Sequence, residues 1–205
     1  MKLLKSAIII ITLSYVIYLI QPTRYPIVNR IPNGETIVAF GDSLTFGTGV
    51  PTAQSYPMQL SELIGEEVIN LGIPGDTSAN ALARINDVLI KNPRIVLLTI
   101  GGNDLKNGVK KEITFENIKN IIVALQDNGS LVILGGIDIP LFGRGFESAY
   151  KDLAKDTGSV LVPNVLEDII GKRELMSDAI HPNSKGYQLM AERFHEAMKP
   201  FLIVR

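Results

Sequence analysis

From Glu35 onward, apolar and polar positions fall into a repeating unit: a short β-branched or aliphatic run, a glycine-containing turn, then a stretch with apolar residues three or four apart. Runs of four to eight apolar residues bounded by turn signals predict buried strands, and the 3.6-residue spacing predicts helices between them. Strands are predicted at Thr36 to Phe40, Glu67 to Leu71, Arg94 to Ile100, Leu131 to Leu134 and Ser159 to Val162. Helices are predicted at Tyr56 to Ile64, Ala79 to Lys91, Thr114 to Asn128, Glu147 to Asp156 and from Ser184 to about Lys199. In the second of these, Leu82, Ile85 and Leu89 share one face. The strands are apolar almost throughout rather than alternating, so both faces of the sheet are covered and the strands pair in parallel. The fold class is therefore α/β, a three-layer α/β/α sandwich on a mostly parallel five-stranded sheet. Ligands in such sheets sit beyond the carboxyl ends of the strands, which directs attention to the loops that follow them.

The first 20 residues break this pattern. Lys2 and Lys5 precede an uncharged, largely aliphatic stretch from Ser6 to Ile20. That is the form of a secretion signal or a membrane anchor. Gln21 to Pro26 contains no small-x-small cleavage site, so an anchor over residues 3–20 is expected, with secretion after cleavage as the alternative. Residues 1–20 are thus assigned to a signal or anchor, residues 21–34 to a linker, and residues 35–205 to the folded domain. The expected location is extracytoplasmic, at the periplasmic or cell surface, with the membrane met only through the N-terminal segment.

Composition narrows the chemistry. Twenty Lys and Arg against 21 Asp and Glu give a net charge of −1 and no basic stripe, so nucleic acid is not an expected partner. The absence of cysteine removes thiolate nucleophiles and Cys-ligated zinc, and two histidines leave little for a His-rich metal site. Catalysis in this chain has to run on oxygen nucleophiles and carboxylates. The oligomeric state is not encoded in any feature of the pattern.

Four loops carry candidate groups. Gly41-Asp42-Ser43-Leu44-Thr45 puts a hydroxyl at the end of the first strand, where a helix N-terminus can stabilise a developing anion, although Asp42 or Ser43 would equally serve as a helix cap. It is not a Gly-x-Ser-x-Gly elbow, since Thr45 occupies the second glycine position. The loop from Asn70 to Ser78 holds Gly72 and Gly75, which allow close backbone approach and an N–H aimed at a ligand. In Gly101-Gly102-Asn103-Asp104 the Asn103 amide can donate to an oxyanion, or the segment is an ordinary turn. In Asp178-Ala179-Ile180-His181-Pro182 the three-residue spacing can bring the Asp178 carboxylate under the His181 ring, fixing its tautomer and leaving Nε2 as a base. The other histidine, His195, lies mid-helix and suits packing or solvent. Nucleophile, base, orienting carboxylate and oxyanion donors thus converge on one edge of one sheet.

On these four blocks, in this order, the chain resembles the GDSL, or SGNH, hydrolase family of esterases and lipases. Gly75-Asp76-Thr77-Ser78, Leu82-Ala83-Arg84 and Ile139-Pro140 make it most similar to the acyl-CoA thioesterase, lysophospholipase and arylesterase branch. The resemblance implies a flavodoxin-like sheet with Ser43 as nucleophile, His181 as general base and Asp178 as its partner. It further implies an oxyanion hole made by the backbone N–H of Ser43, the backbone N–H of Gly75 and the side chain of Asn103, with Gly72 the weaker of the two glycine candidates. No metal and no organic cofactor is implied. The substrate expected is a small acyl ester or thioester, such as a short- to medium-chain ester or a lysophospholipid, with Leu141 and Phe142 as candidate acyl-pocket residues. Alternatives are a carbohydrate O-acetyl esterase of the same fold, a metal-dependent phosphoesterase using Asp42, Asp104 and Asp178, and a non-catalytic flavodoxin-like binding module.

Overall fold

A computed structural model of the protein describes residues 25–138 and 145–202. Five strands form one sheet: β1 (Thr36–Gly41), β2 (Val68–Gly72), β3 (Pro93–Thr99), β4 (Leu131–Gly135) and β5 (Val160–Val162). Their order is β2-β1-β3-β4-β5, and every neighbouring pair is parallel. Ile37 to Phe40, Ile95 to Leu98 and Leu131 to Leu134 are fully buried, as strands covered on both faces must be. Pro93 opens β3, the strand position where a missing N–H costs least.

The helices are α1 (Ser43–Phe46), α2 (Tyr56–Ile64), α3 (Ser78–Ala83), α4 (Ile85–Leu89), α5 (Gly102–Lys106), α6 (Lys111–Asp127), α7 (Phe146–Thr157) and α8 (Ser184–Met198). One layer pairs α2 with α8, where the Tyr56 and Phe194 rings stack at 5.0 Å. In the other, α6 lies between α3 and α7. The three-layer architecture expected from the pattern is the one observed. After β1 the chain adds β2 on one side and then β3 on the other, so β1 and β3 flank the topological switch point where such sheets hold ligands.

One predicted element differs. The helix expected over Ala79 to Lys91 is two helices, α3 and α4, interrupted at Arg84 (φ −111°, ψ 22°). The apolar spacing of Leu82, Ile85 and Leu89 continues across the break, so periodicity alone cannot detect it. The break accompanies the reach of the Arg84 side chain to the strand ends, described below.

Residues 25–34, expected to be the end of a linker, lie against the domain. Tyr25 Oη donates to Ser159 O at 3.0 Å, Val28 N–H to Gly158 O at 2.9 Å and Asn33 N–H to Gly129 O at 3.0 Å. These acceptors precede β4 and β5, at the edge of the sheet opposite the carboxyl ends. The expected membrane segment over residues 3–20 lies outside the described residues. Among the described residues no helix is long and apolar enough to cross a membrane.

Candidate active site

β1 delivers Ser43 directly. The strand ends at Gly41, and Asp42 caps α1, its Oδ1 accepting the Leu44 N–H at 3.0 Å. The capping role open at the sequence level therefore falls to Asp42, and Ser43 remains free as the first helical residue. Burial pushes the Asp42 carboxyl up to about 7; the Leu44 N–H pulls it down, and the charges of Asp76 and Asp104 raise it further.

Ser43 Oγ lies 3.0 Å from His181 Nε2, and His181 Nδ1 lies 2.7 Å from Asp178 Oδ2. The segment that presents His181 is held by its own backbone. Ser177 N–H donates to His181 O at 2.9 Å, and Asp178 Oδ1 accepts the N–H groups of Ile180 and His181, each at 2.8 Å. Burial tends to raise the Asp178 pKa, but the His181 ring and these two N–H donors outweigh it and hold the carboxyl at about 2. An ionised Asp178 keeps the ring hydrogen on Nδ1, so Nε2 can accept the hydroxyl hydrogen of Ser43. The following helix is capped by Asn183, whose Oδ1 accepts from Lys185 and Gly186 N–H. Asp178 and His181 are thereby spared that task.

The oxyanion candidates share a second network. Asn103, on α5, donates through Nδ2 to Asp76 O at 2.9 Å and approaches Asp42 Oδ2 only at 3.5 Å, leaving one amide hydrogen without a close acceptor. Gly75 sits in the turn from Ile73 to Asp76 at φ +89°, a left-handed conformation that explains glycine there. The N–H groups of Ser43 and Gly75 have no acceptor among the described residues. Gly72 is different: its N–H donates to Asn70 Oδ1 at 2.9 Å, and a Cβ at this position would lie 2.1 Å from Phe46 N. It is a packing glycine with a committed donor. Asp104 braces the two loops, accepting the Ser78 N–H at 2.7 Å, the Ser78 hydroxyl at 2.6 Å and the Thr114 hydroxyl at 3.3 Å.

Beside Ser43 opens a cleft of about 420 Å³. Ser43, Asn103 and His181 stand on its wall with Leu44, Leu105, Ile137, Leu166 and Ile180, and Asp42, Gly102 and Lys106 complete the lining. Gly75 joins the group through the neighbouring Asp76 carbonyl rather than through the cleft wall. The apolar lining residues come from five separate segments; Leu44 and Ile180 lie inside the sequence blocks, whereas Leu105, Ile137 and Leu166 carry no motif. Leu141 and Phe142, the expected acyl-pocket residues, lie outside the described residues, although Ile137 of the same loop is on the wall. His195 is half-buried on α8, away from this wall. The carboxylates of Asp42, Asp104 and Asp178 are each engaged by protein donors, and among the described residues no three metal-ligating side chains converge.

Residues 39–189 match the model of the GDSL-like Lipase/Acylhydrolase family. The chain belongs to that family. The matched span begins inside β1 and runs into α8, so it contains every site residue described above. Membership makes the protein an ester hydrolase of the GDSL type. Its relatives include an arylesterase of Vibrio mimicus, 32% identical over 170 residues that cover 77% of this chain and 85% of the relative. Thioesterase 1/protease 1/lysophospholipase L1 of Escherichia coli is 29% identical over 84% of this chain and 88% of its own length. A crystal structure of TesA superposes with a TM-score of 0.78 at 29% identity, covering 82% of this chain and all of that one.

Proposed function

We propose that this GDSL esterase cleaves its substrates through a Ser43 acyl-enzyme, with His181 as general base and acid and Asp178 as the group that orients it. The observation that carries the reading is the unbroken relay from Ser43 Oγ through His181 to Asp178, at 3.0 and 2.7 Å. Ser43 Oγ attacks the carbonyl carbon while its proton passes to His181 Nε2. The carbonyl electron pair becomes an oxyanion, for which the N–H groups of Ser43 and Gly75 and the Asn103 amide are the available donors. Collapse expels the alcohol or thiol with the proton from His181. Water then attacks the acyl-enzyme by the same route, and the acid leaves with Ser43 restored.

The apolar wall formed by Leu44, Leu105, Ile137, Leu166 and Ile180 supports an acyl chain as the group bound there. It favours short- to medium-chain esters over acetylated carbohydrate, whose hydroxyls would find few partners on that wall. Thioesters fit the same chemistry, and the name of the Escherichia coli relative includes that activity. The N-terminal segment supports an extracytoplasmic enzyme tethered through residues 3–20, ahead of the catalytic domain over 35–205. With Tyr25 held at the edge opposite the cleft, such a tether favours a cleft turned away from its own bilayer and substrates arriving from the surrounding phase.

The test is turnover by the full chain, in mild detergent, of p-nitrophenyl esters from acetate to palmitate, with an acyl-CoA and a lysophospholipid alongside. Activity should peak at one chain length and vanish in Ser43→Ala. Turnover that survives Ser43→Ala in the folded variant refutes the mechanism.

A further inference from the structure

Arg84 is a charged side chain, only 15% exposed, that no step of the proposed chemistry employs. Its guanidinium makes three hydrogen bonds at once. Nε donates to Asp76 Oδ2 at 2.6 Å, Nη1 to Leu71 O at 3.0 Å and Nη2 to Gly41 O at 3.0 Å. The group also lies over the Phe40 ring, 4.4 Å from its centre. These acceptors belong to three different parts of the site. Gly41 O is the last β1 carbonyl before Asp42 and Ser43, Leu71 O is near the end of β2, and Asp76 closes the turn that carries Gly75. Gly41 O also accepts the Ile73 N–H at 3.0 Å, so β1 and the turn share this anchor point. On its other side, Asp76 accepts the Asn103 amide through its carbonyl.

We infer that Arg84 is a positioning residue for the oxyanion hole, one planar fork that fixes the nucleophile strand, the Gly75 turn and, through Asp76, the Asn103 amide relative to one another. The inference rests on the assignment of Gly75 and Asn103 as oxyanion donors. Its physical basis is that guanidinium donors are rigid and coplanar, whereas a lysine ammonium at the same site supplies charge without the fork. The helix break at Arg84 brings the side chain to the strand ends, at the cost of the continuous helix that the apolar spacing would otherwise support. Oxyanion donors act through placement in the transition state more than through substrate binding, so loosening them lowers kcat and leaves KM nearly unchanged.

The experiment compares wild type, Arg84→Lys, Arg84→Met, Asn103→Ala and the Arg84→Lys/Asn103→Ala double variant on the best p-nitrophenyl ester. Folding is followed by thermal melting, and the rate of inactivation by a fluorophosphonate is measured beside turnover. Misplacement of the donors by about 1 Å corresponds to a kcat loss on the order of 100-fold for Arg84→Met. Arg84→Lys should lose less, about 10-fold, by keeping the charge but not the fork. KM should stay within about twofold of wild type, and fluorophosphonate inactivation should slow in parallel with kcat, because it uses the same donors. The double variant should lose less than the product of the two single losses, since part of what Arg84 fixes is the Asn103 amide. If Arg84→Met does not fold, the cycle with Arg84→Lys carries the test. A folded Arg84→Lys with wild-type kcat, or losses that multiply in the double variant, overturns the inference. Wild-type kcat in Asn103→Ala would instead overturn the oxyanion assignment, and this inference with it.

Discussion

Asp42 gives the sharpest prediction, because its burial turns pH into a direct probe of the site's foundation. The carboxyl is fully buried, and its pKa lies at about 7 against 3.8 for the free side chain. In this window the unfolded chain releases the proton and the folded protein retains it, so the folded state binds more protons and stability falls as pH rises. The loss begins near the unfolded value, about pH 4, and is complete above about pH 7. At 1.36 kcal/mol per pH unit the whole interval corresponds to roughly 4 kcal/mol. Asp42→Asn removes the ionisation while keeping an Oδ1 to accept the Leu44 N–H. Urea denaturation of wild type and Asp42→Asn at several values between pH 4 and pH 8.5 measures the difference. The variant should gain on wild type steadily through this range, by up to about 4 kcal/mol at the alkaline end. A stability difference that does not change with pH would refute the reasoning, because it would mean that Asp42 ionises in the folded protein as readily as in the unfolded chain.

Other consequences are equally direct. Asp178→Asn should lower kcat at least about 100-fold at neutral pH, since the ring loses the acceptor that holds its hydrogen on Nδ1. In the wild type, Asp178 stays ionised down to about pH 2. The depressed pKa means its contribution persists through pH 4, so an acid limb of kcat/KM near neutrality reports a group other than Asp178. Ile137→Ala should move the preferred ester to a longer acyl chain by enlarging the apolar wall, read as a shift of the chain-length optimum with Ser43 reactivity to fluorophosphonate retained. Dialysis against EDTA should leave turnover unchanged, whereas a metal-dependent reaction would lose it.

The sequence carried the strands because a parallel sheet covered on both faces needs apolar residues at almost every position, and Ile95 to Leu98 show that signature without any tertiary information. It also carried the contact between Asp178 and His181, because the two are three residues apart and meet within one short segment. The two loop glycines part company only in the structure: Gly75 adopts a positive φ, while Gly72 is spent on close packing. Where the pattern misled, long-range contact decided. Leu82, Ile85 and Leu89 keep helical spacing across a real break at Arg84, whose bonding partners lie up to 43 residues away.

What the sequence by itself determined, then, is everything set by local periodicity or local spacing: the α/β alternation, the four loops and the chemical types they carry. Only the tertiary structure decided the distance from Ser43 to His181, 138 residues apart in the chain, the cleft wall drawn from five segments, and the bonds from Asp104 to Ser78 and from Asn103 to Asp76. Those features depend on which strand ends lie side by side. In this sheet that depends on β3 taking its place beside β1 on the side opposite β2, a choice made by the packing of whole layers and written in no single stretch of residues.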